Sequence, residues 1–375
     1  MKVPYFIPCI TDQDKRTIMT ALRSRWLTNG PMLEKFENNI RKFVGTKHAI
    51  GVGSATQSLH LSLRALDIGP GDEVIVPTFT FAATANAVIY CGAKPILTDV
   101  DSKTFNIDPI SIKNKITKRT KAIIPVHYGG QSCDMDVITT ISRKYGLSIV
   151  EDCAHALGSK FKNKHCGNIG NLGCFSFYPT KIITSGEGGM VTTNHPRLSK
   201  KIQLLRSQGM NILPHQRELK NKWRYDIIDL GYNYRLDEIR AGLGFSQSNR
   251  INYINKMRIK IAKKYNKLIK NINGISIPAT KENRNHIYHL YTIKIEKDFH
   301  QGRNDLLKKL NIKQIGTSIQ YYPLHLMSYY KKYFPQKISD FPISNRLKDQ
   351  VLCLPIYVGM TDKQIEYVVN VLKSN

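Results

Sequence analysis

Lys181 is the residue of this sequence that is best placed for covalent chemistry. It follows the segment Cys174-Phe175-Ser176-Phe177-Tyr178-Pro179-Thr180 and precedes Gly186-Glu187-Gly188-Gly189. Upstream, an apolar run ends in Val150-Glu151-Asp152-Cys153-Ala154-His155. An amine in a glycine-rich turn, a hydroxyl and an acid at the end of a strand suit pyridoxal phosphate. Its aldehyde needs an amine, its phosphate needs donors and its ring nitrogen needs a carboxylate.

A second group of residues could hold the phosphate. Ser54-Ala55-Thr56 follows the apolar run His48–Val52 and opens a helical stretch at Leu59–Leu66. A helix N-terminus offers free N–H groups and a partial positive charge, and two hydroxyls would add donors. The alternative is that Ser54 or Thr56 only caps the helix, and this is the favoured interpretation of the segment taken alone. Ser176, considered by itself, leaves the same choice between phosphate binding and a structural role.

Three further side chains could contact the cofactor ring. Asp152 could pair with the ring nitrogen and keep it protonated, so that the ring delocalises charge from the substrate carbon. His155 could donate to the phenolic oxygen or pack over the ring, or be a satisfied histidine at a helix start. Phe81 could stack on the other ring face, with plain core packing as its alternative. Once free, Lys181 would be the base for a 1,3-proton shift.

The elements that must position these residues alternate between β-branched runs and helical stretches. Such alternation predicts an α/β fold with a mainly parallel sheet and helices on both faces. Ligands of such sheets bind beyond the carboxyl ends of the strands, where Asp152 is expected. The expected strands are His48–Val52, Glu73–Val76, Pro95–Val100, Ala122–Val126, Ser148–Val150, Phe175–Phe177 and Met190–Thr193, with helices at Leu59–Leu66, Ala82–Cys91 and Val137–Tyr145.

The chain is expected to divide into two domains. Residues 1–250 are assigned to a large cofactor-binding domain with an N-terminal segment, in which Thr11 and Asp14 resemble a helix start. Residues 251–375 are assigned to a long connecting helix and a small C-terminal α/β domain. One long helix, straight or kinked, is predicted from Leu236 to about Ile272. The small domain is expected to contain strands near Ile287–Ile295 and Val351–Leu354 and helices near Asp305–Leu310 and Asp362–Leu372.

Composition limits the function classes that are open to this chain. Its 375 residues are 41% hydrophobic, which is enough to build one large and one smaller domain. No apolar run approaches the roughly 20 residues that span a bilayer, so no membrane association is expected. Seven cysteines without a CxxC pair argue against a disulfide framework or a zinc site. We therefore expect a cytoplasmic protein without a bound metal.

The net charge of +28 raises the question of nucleic-acid binding. The basic residues are mostly lysines scattered along the chain, for example Lys260, Lys263, Lys264 and Lys267, rather than packed with aromatic residues. Nucleic acid is therefore not an expected partner. A biased genome could supply much of the lysine. Alternatively, the positive field could attract an anionic substrate such as a nucleotide sugar.

From about Pro8 to Leu372 the chain resembles the DegT/DnrJ/EryC1/StrS family of sugar aminotransferases, which are fold-type I pyridoxal-phosphate enzymes. The segments that carry the resemblance are residues 24–31, 69–77, 98–101, 151–157, 176–189, 206–210 and 231–236. The resemblance implies that Lys181 carries the Schiff base, Asp152 binds the ring nitrogen, His155 lies by the phenolic oxygen and Phe81 stacks. It implies that Ser54, Ala55, Thr56 and Ser176 bind the phosphate. Asn233 would reach the phosphate of a second subunit, in an obligate homodimer with composite sites.

The resemblance also implies the reaction and its substrates. L-glutamate would convert the cofactor to pyridoxamine 5'-phosphate, and the amine would then pass to a nucleotide-linked keto sugar. His155 and the pairing of Cys9-Ile10-Thr11-Asp12 with Ser54-Ala55-Thr56 are similar to C4 aminotransferases that act on UDP-4-keto sugars. The substrate would be a UDP-4-keto-6-deoxy (N-acetyl)hexose, for surface polysaccharide or nonulosonic acid biosynthesis. Tyr178-Pro179 and Ala55 depart from the commoner family residues.

Several alternatives stay open at the level of sequence. The acceptor could be a C3 keto sugar, an amino-cyclitol or GDP-4-keto-6-deoxymannose, the precursor of perosamine. A regulatory protein that holds the cofactor without turnover is an alternative of another class. His325 and Arg235 are assigned as substrate contacts, and a buried structural histidine is the alternative for His325.

Overall fold

The computed structural model describes residues 1–212 and 224–374 of the chain. Most of the helices of the N-terminal part follow the predicted pattern of apolar residues. They are α1 (Asp12–Arg23), α2 (Pro31–Val44), α3 (Ala55–Ala65), α4 (Ala82–Tyr90), α5 (Pro109–Lys115), α6 (Met135–Tyr145), α7 (Pro196–Arg206) and α8 (Glu238–Ser248). The strands there are β1 (His48–Val52), β2 (Glu73–Pro77), β3 (Lys94–Thr98), β4 (Thr120–Ile123), β5 (Ser148–Asp152), β6 (Lys160–Phe161), β7 (Lys164–His165), β8 (Leu172–Ser176) and β9 (Gly189–Thr193).

In the described part of the chain, seven of these strands form the central sheet. Their order is β1-β9-β8-β5-β4-β2-β3. All neighbours are parallel except β9, which is antiparallel to both β1 and β8. β2 is buried along its whole length, as expected for a parallel strand that is covered on both faces. The predicted α/β fold with a mainly parallel sheet is confirmed.

The predicted strand positions hold, with differences at their ends. β4 stops at Ile123, three residues earlier than predicted: Ile124 still donates its N–H to the Ile75 carbonyl (2.8 Å), but Pro125 has no N–H to continue the ladder. Val126 then forms only an isolated bridge with Asp152. β8 starts earlier than predicted and ends at Ser176. The helix start at Thr11 is confirmed, since Asp14 accepts hydrogen bonds from the Thr11 N–H (2.8 Å) and hydroxyl (3.1 Å).

The single long helix predicted from Leu236 is wrong. The segment forms α8 and α9 (Ile251–Ile269), which are separated at Asn249 and Arg250. The Ser248 hydroxyl and the Asn249 side-chain amide both donate to the carbonyl of Phe245, which competes with the continuing helical bond. Arg250 then forms an ion pair with Asp14 (2.8 Å), which holds the break against the start of α1.

The C-terminal part of the chain packs against α9 and forms a second apolar core with it. A three-stranded sheet has the order β10-β12-β13, formed by β10 (Ile275–Ser276), β12 (Tyr291–Ile295) and β13 (Val351–Leu354). Its helices are α10 (Arg303–Ile312), α11 (Ser328–Tyr333), α12 (Pro342–Gln350) and α13 (Asp362–Lys373). The short strand β11 (Arg284–Asn285) pairs with β6. Val3 belongs to this second core and bridges to Ile315, so the N-terminal segment reaches the C-terminal part. The division at residue 250 stays a prediction.

The strand predicted at Ile287–Ile295 begins only at Tyr291. Ile287 donates its N–H to the Gly130 carbonyl (3.0 Å), and Leu290 donates to Gly129 (3.2 Å), so these residues bind a loop of the large sheet instead. Across the described residues, no helix has both the length and the apolar character needed to cross a bilayer.

Candidate active site

Asp152 lies at the carboxyl end of β5, at the edge of the sheet where the sequence places it. It is 5% exposed. One carboxylate oxygen accepts from the Ala154 N–H (3.1 Å) and the other from the Thr84 hydroxyl (2.9 Å). Thr84 is in turn 2.9 Å from the hydroxyl of Thr80. This chain of hydroxyls fixes the carboxylate and leaves lone pairs for a further donor.

Burial raises the pKa of the Asp152 carboxyl, while its two hydrogen bonds and the charge of Lys181 oppose that rise. A buried carboxyl with an elevated pKa gains most from a cationic N–H partner, because that partner favours the ionised form. The protonated ring nitrogen of pyridoxal phosphate is such a partner. The residue therefore fits the cofactor that the sequence predicts.

Lys181 lies in the turn that joins β8 to β9. The turn is held by hydrogen bonds from Phe177 N–H to the Gly188 carbonyl (2.9 Å) and from Ser185 N–H to the Phe177 carbonyl (3.0 Å). Gly188 has no room for a side chain, because a Cβ there would lie 2.2 Å from the Ser185 hydroxyl oxygen. Gly186 has a left-handed φ of 79°, which glycine adopts without strain.

Burial lowers the pKa of the Lys181 amine to about 8, and the negative charge of Asp152 opposes this shift. About a tenth of the amine is therefore uncharged at pH 7, far more than for an ordinary lysine, and this is the form that reacts with an aldehyde. The side chain also lines a small cavity whose other wall is the N-terminal segment Phe6–Cys9. Gln247 holds that segment by donating to the Cys9 carbonyl (2.9 Å).

The residues assigned to the phosphate lie side by side at this edge. Gly189 pairs with Val52 in β1 and with Ser176 in β8, so the ends of three strands are adjacent. Ser54 is the N-cap of α3, and its hydroxyl accepts from the Gln57 N–H (3.2 Å). The cap alternative therefore holds for Ser54. It does not conflict with phosphate binding, because the N–H groups of the first turn, at Ala55 and Thr56, lack intrahelical partners.

His155 is buried between two fixed groups. Its Nδ1 accepts from the Gly129 N–H (3.3 Å), and its Nε2 lies 3.0 Å from the Tyr321 hydroxyl. Burial, with a smaller contribution from Lys181, holds the pKa of the His155 ring well below its ordinary value. Neither Tyr321 nor Thr84 was expected from the sequence.

Phe81 is 62% exposed, which excludes plain core packing. It caps α4 at the N-terminal side, and its ring lies 6.3 Å from that of Tyr321. Because the ring is exposed, it is free to stack on a planar ligand.

Asn233 and Arg235 lie on the segment that follows the undescribed residues. Ser207 bridges to Asn233, Val52 bridges to Arg235, and Gly53 donates its N–H to the Tyr234 carbonyl (3.1 Å). The segment thus runs beside Ser54. Arg235 is partly buried and the Asn233 side chain is exposed, which leaves Asn233 accessible to a second copy of the chain.

For His325 the structure favours the structural alternative over the predicted substrate contact. The residue is 6% exposed, and both ring nitrogens have protein partners: the Thr78 hydroxyl (2.8 Å) and the Asn345 side-chain oxygen (3.0 Å). Its ring also stacks on Phe341 at 4.0 Å. With both nitrogens occupied, this imidazole has no free group for a sugar.

One buried cluster combines residue types that can bind metals, namely His127, Glu151 and Cys153. Glu151 is already satisfied by backbone N–H groups of the loop before β8, at Gly167 (2.9 Å), Ile169 (2.8 Å) and Gly170 (2.7 Å). His127 binds the same carboxylate through Nε2 (2.9 Å). These contacts therefore hold the loop before β8 against β5.

Comparison with known proteins identifies the family of this chain. The sequence profile of the DegT/DnrJ/EryC1/StrS aminotransferase family matches residues 8–373. The spore coat polysaccharide biosynthesis protein SpsC of Bacillus subtilis (strain 168) is 38% identical over 374 residues, covering 99% of this chain and 96% of SpsC. GDP-perosamine synthase of Caulobacter vibrioides is 36% identical over 367 residues, covering 97% of this chain and 96% of the synthase.

Solved structures show the same fold. Spr1654 from Streptococcus pneumoniae in its PMP form has a TM-score of 0.94 and 29% identity, covering 99% of this chain and 98% of that one. Its PLP form has a TM-score of 0.92 at the same identity, covering 100% and 98%. Helicobacter pylori PseC, an aminotransferase involved in the biosynthesis of pseudoaminic acid, has a TM-score of 0.92 and 28% identity, covering 99% and 98%. Since the family profile matches nearly the whole chain, this protein belongs to the DegT/DnrJ/EryC1/StrS aminotransferase family and is a pyridoxal-phosphate enzyme of fold-type I.

Proposed function

We propose that this aminotransferase moves the amino group of L-glutamate to C4 of a UDP-4-keto-6-deoxy (N-acetyl)hexose, for surface polysaccharide or nonulosonic acid biosynthesis. The observation that carries the proposal is the convergence of Lys181, Asp152 and His155 at one sheet edge beside the N-terminus of α3. Histidine at position 155 is similar to the C4 enzymes of the family. The pathway is supported by PseC and SpsC, whose names refer to pseudoaminic acid and spore coat polysaccharide.

Each site residue has a distinct proposed role. The cofactor supplies an aldehyde and a ring that withdraws electrons. Ser176 and the first turn of α3, with Ser54, Ala55 and Thr56, bind its phosphate through hydroxyl and N–H donors. Asp152 keeps the ring nitrogen protonated, and Phe81 covers one ring face. Asn233 reaches the phosphate of the partner site, and Arg235 contacts the substrate.

Lys181 is proposed to act twice. Its uncharged Nζ would hold the cofactor through the aldehyde, with loss of water, and this form is available near neutral pH because burial lowers the pKa of Lys181 to about 8. Once released by the incoming amine, the same Nζ would move a proton from the substrate carbon to the cofactor carbon. A pKa near the working pH suits both transfers.

GDP-4-keto-6-deoxymannose is the second candidate acceptor, because GDP-perosamine synthase is 36% identical over nearly the whole chain. A panel of nucleotide-linked 4-keto and 3-keto sugars, with L-glutamate as donor and formation of 2-oxoglutarate as readout, separates the candidates. We expect kcat/KM to be highest with the UDP-4-keto substrate. A higher value with the GDP sugar or with a 3-keto sugar would contradict the proposed substrate but not the aminotransferase. Absence of any half-reaction with glutamate would favour a regulatory role instead.

The homodimer is a further part of the proposal. An exposed apolar stretch precedes Asn233, with Ile227 54%, Ile228 58% and Leu230 73% exposed. Clustered apolar side chains on a surface mark an interface, and Asn233 beside them would enter the partner's site. The large positive charge would favour an anionic nucleotide sugar.

We expect the double substitution Ile228→Glu and Leu230→Glu to convert the dimer to a monomer and to weaken cofactor binding at least tenfold, because carboxylates buried in an apolar interface lose their hydration. Light scattering after size exclusion and titration of the apoenzyme with pyridoxal phosphate measure the two effects. Ile312→Glu, at a 79% exposed position on α10, is the matched control and should change neither. A monomeric double variant with normal cofactor affinity would contradict the composite site.

We also propose that the enzyme works in the cytoplasm. All seven cysteines are free thiols, and six of them are buried. Such thiols are typical of proteins of reducing compartments, where disulfides do not persist.

A further inference from the structure

The outer face of α9 carries a row of lysines that the sequence alone does not reveal as a group. They follow one another at steps of four, three, four and three residues, which places them on one side of a helix. At about 100° per residue, they fall within an arc of about 80° and extend for about 21 Å along the axis. This row, the lysine stripe, consists of Lys256, Lys260, Lys263, Lys267 and, at the C-cap, Lys270. Lysines that are scattered in the sequence thus form one continuous surface.

The lysine stripe points away from the core. The buried residues of α9 lie on the opposite side of the helix and include Ile254, Ile261 and Tyr265. All five lysines of the stripe are exposed. Their ammonium groups are therefore available to a partner that approaches this side of the helix.

The stripe has no acidic residues that balance its charge. α9 contains neither Asp nor Glu, and no ion pair within residues 1–212 and 224–374 includes a lysine of the stripe. Lys264, which lies beside the stripe, pairs by contrast with Asp362 (3.1 Å) and Glu366 (2.8 Å). Like charges three and four residues apart repel each other and destabilise a helix. An anionic partner would relieve this repulsion.

The composition of the stripe favours a diffuse anionic surface over an anion of fixed shape. Lysine is a point charge on a flexible stem, whereas the rigid fork of arginine fits individual phosphates. The one arginine of α9, Arg258, is buried. Surfaces that bind nucleic acid usually combine basic residues with several aromatic residues for stacking. Here only Tyr253, which is 54% exposed, continues the stripe, and tyrosine is enriched where a protein meets lipid headgroups.

We propose that the lysine stripe adsorbs this protein onto a membrane surface that contains anionic lipids. Lipid headgroups form a mobile array of charges that can follow a straight row of flexible lysines, and Tyr253 would lie among the headgroups. Adsorption requires no spanning helix, so it lies outside the expectation drawn from the lack of long apolar runs. It is also separate from the proposed function, because no residue of the stripe belongs to the candidate active site.

Cosedimentation of the full-length protein with unilamellar vesicles tests the proposal. At about 0.1 M salt, the protein should bind vesicles of phosphatidylcholine with about 30% phosphatidylglycerol, and should not bind phosphatidylcholine alone. Glutamine at all five positions of the stripe should lower the partition coefficient by about 10²-fold or more, since each lysine near such a surface contributes about fivefold. Glutamine and lysine have similar helix propensities, so α9 should stay folded. Arginine at the same positions should preserve binding, because the charge is kept.

The matched control removes the same amount of charge from other parts of the chain. It has glutamine in place of five exposed lysines, namely Lys42, Lys113, Lys118, Lys164 and Lys331. Because these lysines do not share one helix face, vesicle binding should fall by no more than about fivefold. An equal loss in both variants would overturn the proposal, since net charge alone would then account for adsorption. A wild-type protein that does not bind the anionic vesicles would overturn it as well.

A footprint on the wild-type protein avoids any effect of substitutions on folding. Limited acetylation with and without anionic vesicles, read by peptide mass spectrometry, should show stronger protection at the stripe than at the five control lysines. Equal protection would contradict the proposal. A duplex oligonucleotide is the competing polyanion: if it binds more tightly than the vesicles at the same salt, and the glutamine variant loses this binding, the stripe serves nucleic acid instead. None of these readouts involves amino transfer, so their failure would leave the proposed function standing.

Discussion

Replacing Lys181 with alanine is expected to abolish amino transfer, with kcat/KM lowered by about 10⁴-fold or more. The reason is that its Nζ is both the nucleophile for the cofactor aldehyde and the base for the proton shift, and no other lysine is assigned to this site. Single-turnover assays with L-glutamate measure the loss. Borohydride should fix the cofactor to residue 181 of the wild-type enzyme, as read by peptide mass spectrometry, and should fix none in the variant.

The matched control is Lys118→Ala, which removes an exposed lysine and should keep full activity. The wild-type apoenzyme adds a test by pH. Because the pKa of Lys181 is about 8, the rate of cofactor capture should rise almost tenfold per pH unit below 8 and level off above it. A Lys181→Ala enzyme that transaminates at the full rate would refute the assignment.

Asp152→Asn is expected to lower kcat by about 10²–10³-fold while leaving cofactor capture intact. Asparagine can accept from the Ala154 N–H and donate to the Thr84 hydroxyl, so the fold and the local contacts should survive. It cannot, however, provide the negative charge that keeps a ring nitrogen protonated. Loss of that charge should also lower the pKa of Lys181 further, because Asp152 raises it in the wild-type protein.

The Asp152→Asn variant therefore separates capture of the cofactor from catalytic turnover. Borohydride fixation at Lys181 should proceed as in the wild type, while the half-reaction with glutamate slows. Asp349→Asn, at a carboxylate whose side chain is 65% exposed, is the control and should be fully active. If Asp152→Asn kept wild-type kcat, the carboxylate would not be the partner of the ring nitrogen.

Much of the fold could be predicted from sequence because the relevant signals are local. Buried parallel strands favour runs of β-branched residues, and such runs stand at Val74-Ile75-Val76 in β2 and Ile149-Val150 in β5. The break between α8 and α9 was missed because Ser248 and Asn249 are tolerated in helices. Only their competing hydrogen bonds, together with the distant Asp14, turn that point into a break.

The candidate site, too, could be predicted only where its residues stand in distinctive local segments. Lys181 and Asp152 stand in distinctive local segments and were assigned from them. Thr84 and Tyr321 lie 68 and 166 residues from their partners Asp152 and His155, and neither has a local signal that sets it apart from a core threonine or tyrosine. His325 was assigned as a substrate contact, yet its two ring partners come from chain positions that sequence alone does not bring together.

The segment Phe6–Cys9, which lines the cavity beside Lys181, has a practical consequence for anyone who works with this enzyme. Two side chains, Gln247 and Arg250, hold it through the Cys9 carbonyl, and Val3 anchors it in the second core. Trimming the first residues during cloning would therefore remove a wall of the cavity beside Lys181. Affinity tags and immobilisation chemistry belong instead after α13, because that helix contributes no residue to the described lining of this cavity.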